Sequence, residues 1–143
     1  MMEKSFLLEH GLVIDGTGRE AYPASLLVEG DKITALGEDA DRKATTLPAL
    51  AHHDISGMTA MPGLIDAHVH CTFDDAAGHD ELFYHRRPGL SAIISARNIR
   101  KMLTSGVTGF FDADSLFDLG VDLKEAVRYG VIEGPRMAVG VTP

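Results

Sequence analysis

Met61-Pro62-Gly63-Leu64-Ile65-Asp66-Ala67-His68-Val69-His70 is the stretch on which the reading of this chain turns. Pro62-Gly63 breaks whatever precedes it, and an apolar run then leads into two histidines spaced i, i+2. In a strand those positions share a face, with Cα atoms roughly 6.5–7 Å apart. Two imidazoles so placed can converge on one ion at Zn–N distances of about 2.0–2.1 Å. Chance has to be weighed as well: seven histidines in 143 residues make an accidental His-x-His roughly a one-in-three event. The pair alone therefore proves little, and its surroundings must decide.

Downstream of the pair the pattern alternates. Residues 64–70 form a strand candidate, followed by a polar loop rich in Asp and His. Residues 88–105 have helical spacing, with Ala92, Ala96, Ile99 and Leu103 on one face and Gly106 as the stop. Residues 107–111 form a second short strand. Residues 122–129 form a second helix, with Leu123, Ala126 and Val127 on one side and Gly130 closing it. Residues 136–141 begin a third strand. Strand, helix, strand, helix, strand is the pattern of βαβ units on a parallel sheet. A closed (β/α)₈ barrel needs roughly 250 residues, so about the first three strands are expected here, with an unpaired parallel edge.

Upstream, residues 1–62 are expected to be β structure. Residues 5–14 are an apolar, β-branched run stopped by Asp15-Gly16-Thr17-Gly18, whose glycines are turn formers. Residues 24–28 and 32–36 flank Glu29-Gly30-Asp31, a tight-hairpin spacing with Gly30 at positive φ. Residues 38–50, charged and then Ala/Thr-rich with Pro48, are expected to be a loop. Residues 55–60 resemble another hairpin turn. The fold class is α/β, with the chain dividing into residues 1–62 and 63–143.

The stretch from Met61 to His70 closely resembles the signature of the amidohydrolase superfamily of metal-dependent hydrolases. In that family a Pro-Gly-hydrophobic-hydrophobic-Asp-x-His-x-His segment forms barrel strand one after a short β-sandwich. Asp15-Gly16-Thr17-Gly18 and Asp54-Ile55-Ser56-Gly57 resemble its sandwich elements. Leu103-Thr104-Ser105-Gly106-Val107-Thr108 resembles its junction into strand two. Gly134-Pro135-Arg136-Met137 resembles the start of strand three in the branch near imidazolonepropionases and prolidase-like dipeptidases. The resemblance implies an N-terminal small β-sandwich portion, residues 1–62, followed by the first β/α units of a TIM-like (β/α)₈ barrel, residues 63–143. It implies that His68 and His70 bind a divalent metal, zinc by preference, in a site of one or two ions. Such a metal acidifies water and polarises a scissile carbonyl, for hydrolysis of C–N bonds in amides, cyclic amides or dipeptides. The family's other ligands, a carboxylated lysine or glutamate, two more histidines and an aspartate base, come from strands four to eight. The isolated 143 residues are accordingly expected to be inert. Asp66 at this position is structural by the same resemblance.

The remaining polar residues have blander readings. His52-His53 before Asp54 suit a solvated surface. Asp74, Asp75, His79, Asp80 and Glu81 form a solvated acidic loop that could overhang the site. His85, Arg86 and Arg87 suit surface charge at a helix start, with a substrate carboxylate as the alternative use. Asp112 and Asp114 follow strand two, where capping and turns are the ordinary use of aspartate and substrate or metal-shell roles the rarer one. Cys71 faces away from the histidine pair and suits a buried structural thiol.

Thirteen basic against twenty-one acidic residues, net charge −8, argue against nucleic acid or anionic membrane as the main partner, since both need clustered Lys and Arg. A small-molecule substrate is the expected partner, with homo-oligomerisation left open. A single cysteine excludes an internal disulfide framework and fits a reducing compartment. The absence of a signal-peptide core or a membrane-length apolar run leads to the expectation of a cytoplasmic protein. Two other classes stay in view. One is a non-catalytic amidohydrolase-like scaffold or assembly protein, against which retention of both histidines speaks. The other is a small complete protein with a chance pair.

Overall fold

The computed structural model describes residues 5–73, 77–78, 80–81 and 85–140. It is mixed α/β, in two compact units, residues 1–62 and 63–143. In the first unit the apolar run 5–14 does not make one strand. His10 takes φ +66°, and the chain leaves one sheet for another between β1 (Ser5–Glu9) and β2 (Leu12–Val13). β1 lies in a four-stranded sheet of order β5-β4-β1-β6, with β4 at Leu26–Glu29, β5 at Lys32–Leu36 and β6 at Ala51–Asp54. β2 is central in a smaller sheet, between β3 (Tyr22–Pro23) and β7 (Thr59–Ala60).

The β4–β5 hairpin is the one that the spacing predicts: Glu29 pairs with Lys32, and Gly30 takes φ +66°. The expected hairpin at 55–60 is absent. β6 pairs parallel with β1 and β7 parallel with β2, so the turn moves the chain between sheets. Its local chemistry is still that of a turn, because the Asp54 carboxylate accepts the Ser56 N–H at 2.8 Å and hydroxyl at 2.6 Å. Turn chemistry reverses a chain but does not choose the strand's partner. His52 and His53 lie within β6, and both are exposed, as a solvated surface requires.

Residues 38–50 also depart from the expected loop. Glu38–Ala44 is a helix, α1, with Ala40 and Ala44 buried beside Leu7 and Leu27 in the unit's core. These alanines are i, i+4 and share a face. Acidic Glu38, Asp39 and Asp41 occupy the first turn and basic Arg42 and Lys43 the last, the arrangement that the helix macrodipole favours. An apolar face built only of alanine is too faint to register as periodicity in so charged a segment.

The second unit runs β8 (Leu64–Val69), α2 (Pro88–Thr104), β9 (Val107–Asp112), α3 (Leu119–Arg128) and β10 (Arg136–Val139). The three strands form a parallel sheet of order β10-β9-β8, as the alternation of elements predicts. Pro88 occupies the first turn of α2, where its missing N–H costs nothing. Ala92, Ala96 and Ile99 pack inward as expected, joined by Met102, against a core of Cys71, Phe110, Leu119, Leu123 and Met137. α3 begins three residues earlier than its spacing indicates. Phe117 and Asp118 stand before it at φ +58° and +56°, a left-handed step that no local sequence pattern announces. Among the described residues no helix is long and apolar enough to cross a membrane.

Candidate metal centre

His68 lies near the C-terminal end of β8, and His70 follows the strand directly. Their Nε2 atoms are 3.2 Å apart, and the rings meet edge to face with centroids 5.0 Å apart. Two nitrogens bound to a tetrahedral ion at about 2.05 Å would lie about 3.3 Å apart. The pair thus stands near the separation that one shared ion requires. Without a cation the same gap is spanned by one Nε2–H donating to the other ring's lone pair. Among the described residues no set of three or more His, Cys, Asp or Glu side chains is arranged to hold a metal.

The orientation of His70 is set on two sides. Its Nδ1 is 3.0 Å from the Asp114 carbonyl oxygen. A carbonyl can only accept, so Nδ1 carries the proton and the neutral ring's lone pair sits on Nε2, which points at His68. The Phe73 ring stacks on the imidazole at 4.8 Å and 13°. His68 is positioned by backbone: its N–H donates to the Asp66 carboxylate at 3.1 Å, which gives Asp66 a local structural contact.

The segment after the pair is anchored from three places distant in sequence. Asp112 is fully buried and accepts the Cys71 N–H at 3.2 Å and thiol at 3.3 Å. Burial raises the Asp112 carboxyl above its ordinary value, against the lowering effect of the bonds from Cys71. Burial likewise pushes the Cys71 thiol far up, reinforced by the Asp112 charge, so this thiol is a packed donor and not a nucleophile. Thr72, also fully buried, accepts the Leu116 N–H at 3.0 Å. Asn98 on α2 donates to the carbonyls of Cys71 at 3.2 Å and Phe73 at 3.0 Å.

Of the two aspartates after strand two, Asp112 turns inward and Asp114 contributes its backbone to His70, which is neither the capping nor the plain turn role expected. Arg86 is a further correction. It is buried, with the Glu81 carboxylate 3.7 Å away, where surface charge was expected. His85 and Arg87 are exposed. Asp74, Asp75 and His79 lie outside the described residues. Thr72, Phe73 and Asn98 carried no signal in the sequence, because their importance comes from partners 25–44 residues away or from a stacking face.

The chain is 34% identical over 91 residues to the N-acyl-D-glutamate deacylase of Alcaligenes xylosoxydans xylosoxydans, covering 63% of this chain and 16% of that protein. It is 41% identical over 64 residues to the D-aminoacylase of the same organism, covering 45% of this chain and 12% of that one. A crystal structure of an amidohydrolase superposes with a TM-score of 0.80 at 28% identity, covering 95% of this chain and 31% of its own. The chain thus spans less than a fifth of the length of these curated relatives and less than a third of that structure. The amidohydrolase family model matches residues 59–143, more than half of the chain, and the chain belongs to the amidohydrolase family.

Proposed function

We propose that this chain is the N-terminal part of a metal-dependent amidohydrolase that hydrolyses C–N bonds of amides, cyclic amides or dipeptides, with His68 and His70 as metal ligands. One observation carries the reading: the two Nε2 atoms converge to 3.2 Å while the far nitrogen of His70 is committed to a carbonyl. A ligating histidine ordinarily donates its other ring N–H to such a partner, which fixes tautomer and direction together. On this reading residues 1–62 are the N-terminal portion of a β-sandwich and residues 63–143 the first β/α units of a (β/α)₈ barrel. β8 would then be strand one, with the pair at the strand end where barrels build their sites.

A divalent ion there, zinc by this reading, would supply Lewis acidity and a water acidified toward neutral pH. The chain's own contribution is to hold two imidazole lone pairs on one point, with His70 stacked against Phe73 and tied to Asp114. Two imidazoles are an incomplete ligand set, so hydrolysis on this reading calls for more donors than the described residues bring together. The named activities of the relatives, deacylation of N-acyl-D-glutamate among them, support a substrate class of N-acylated amino acids and other amides.

The test is to express the full reading frame containing this chain and measure bound metal and amide hydrolysis. The reading expects stoichiometric metal, lost together with activity in the His68→Ala/His70→Ala variant, which should remain folded. A folded wild-type protein that retains no metal would sink it and leave a non-catalytic scaffold.

A further inference from the structure

We infer that Asn98, on helix α2, is a positioning residue for the histidine pair: it clamps the turn after strand β8 so that Phe73 and the Asp114 carbonyl hold the His70 ring in one tautomer and one direction. The inference rests on the metal-site reading and deepens it. Its structural half stands on its own contacts.

The chain reverses immediately after His70, where the Phe73 N–H donates to the His70 carbonyl at 3.0 Å. That turn brings the Phe73 ring over the imidazole. A single turn hydrogen bond is worth only about 1 kcal/mol net and does not fix a ring to a few tenths of an ångström. Asn98 adds what the turn lacks. One amide nitrogen gives its two protons to two carbonyls, those of Cys71 and Phe73, and so sets the separation between the start and the end of the turn. Only the amide nitrogen can face two carbonyls, so the orientation of the Asn98 side chain follows from the bonds themselves.

The helix supplying this clamp is fixed independently of the site. Ile99, the next residue, is fully buried in the core of the second unit. Asn98 therefore transfers the rigidity of a packed helix to the turn. Asp112 grips the same turn from β9 through the Cys71 N–H, and Asp114 completes the bracket through its carbonyl. Loss of Asn98 would withdraw its donor from two carbonyls, one of them on the buried Cys71. The turn would then rotate to recover hydrogen bonds and carry the stacking face of Phe73 away from His70.

The experiment uses the full-length protein with Asn98→Asp, which keeps the shape and replaces both donors by acceptors. Asn98→Ser, which keeps one short donor, is the milder variant should the first not fold. Ile99→Val is the control, since it loosens the same helix without touching the turn. Two readouts are taken: the His70 tautomer in the metal-free protein by nitrogen-15 NMR, and zinc affinity by chelator competition. The expected result is a fixed Nδ1–H tautomer in wild type and Ile99→Val, lost in Asn98→Asp and partly lost in Asn98→Ser. Zinc affinity should fall by about 10–100-fold in Asn98→Asp, the usual effect of removing a group that orients a ligand. A folded Asn98 variant with an unchanged tautomer and zinc affinity within about twofold of wild type would overturn the inference. So would an equal loss in Ile99→Val, which would show the effect to be general loosening. Wild-type protein that takes up no zinc, yet loses the tautomer in Asn98→Asp, would keep the clamp and discard the metal reading.

Discussion

Two aspartate turns of the first unit and the turn after His70 in the second use the same chemistry at very different range. Asp15 accepts the Thr17 N–H at 3.0 Å and hydroxyl at 2.6 Å, and Asp54 does the same with Ser56. In each the turn's own hydrogen bonds close within three residues, although Asp15 also accepts the Tyr22 hydroxyl at 3.1 Å and Asp54 lies 3.5 Å from His10 Nδ1. The turn after His70 draws its bonds from Asn98, Asp112, Asp114 and Leu116, between 25 and 44 residues away. A local turn can form in a short peptide and needs only its own residues. A turn held at long range exists only once helix α2 and strand β9 have docked, and its precision is then that of the packed core. A pair of ligands benefits from the second kind, because small displacements of a ligating nitrogen weaken the site.

The contrast can be broken first at Gly120, in α3. A Cβ built there lies 2.5 Å from Asp112 Oδ2, 2.9 Å from Ser115 Oγ and 2.9 Å from Val139 Cγ1. In an open helix Gly→Ala gains about 1 kcal/mol. Here Gly120→Ala should instead destabilise by about 2–3 kcal/mol, because the buried carboxylate behind it has no room to retreat. A urea melt of the second unit reads this directly, and a gain in stability would show that the Asp112 anchorage is loose.

Thr72→Val should cost somewhat less, about 1–2 kcal/mol, since it keeps the shape but removes the hydroxyl oxygen that accepts the Leu116 N–H. Thermal unfolding checks it. A neutral outcome would mean that this N–H finds another partner and that the turn is less bound to its distant neighbours than its contacts indicate.

The smallest effect belongs to the local turns. The Thr17 hydroxyl and N–H hold the Asp15 carboxyl below its ordinary value of 3.8, and Ser56 acts likewise on Asp54. A carboxyl lowered in the folded state contributes stability above its unfolded pKa, and that contribution is lost as pH falls through the lowered folded value. Asp15→Asn/Asp54→Asn should therefore lower the urea midpoint slightly near neutrality and flatten its fall between about pH 5 and about pH 2, where variant and wild type converge. Asp54 is exposed and Asp15 half-buried, and their bonds are mostly local, so the change should be the least of the three. An acid limb as steep as in wild type would show that these turns contribute nothing to folding.

Period, punctuation and one short motif determined a good deal of this protein without any structure. The i, i+4, i+7 spacing of Ala92, Ala96 and Ile99 places α2, because a helix face is read from residues on the same helix. Glu29-Gly30-Asp31 places its hairpin for the same reason, since the turn's demand for positive φ falls on one residue. The signature from Met61 to His70 names the family and the pair of ligand candidates. Tertiary structure decided what depends on partners far along the chain: the switch of sheets at His10, the parallel pairing of β6 and β7, and the burial of Asp112 and Arg86. It also decided that Asn98, an ordinary polar residue in a helical run, reaches the turn beside His70. The physical reason is range. Propensity, turn chemistry and periodicity act over a few residues, whereas burial and a clamp from α2 or β9 arise only when segments tens of residues apart pack together and compete for the same donors.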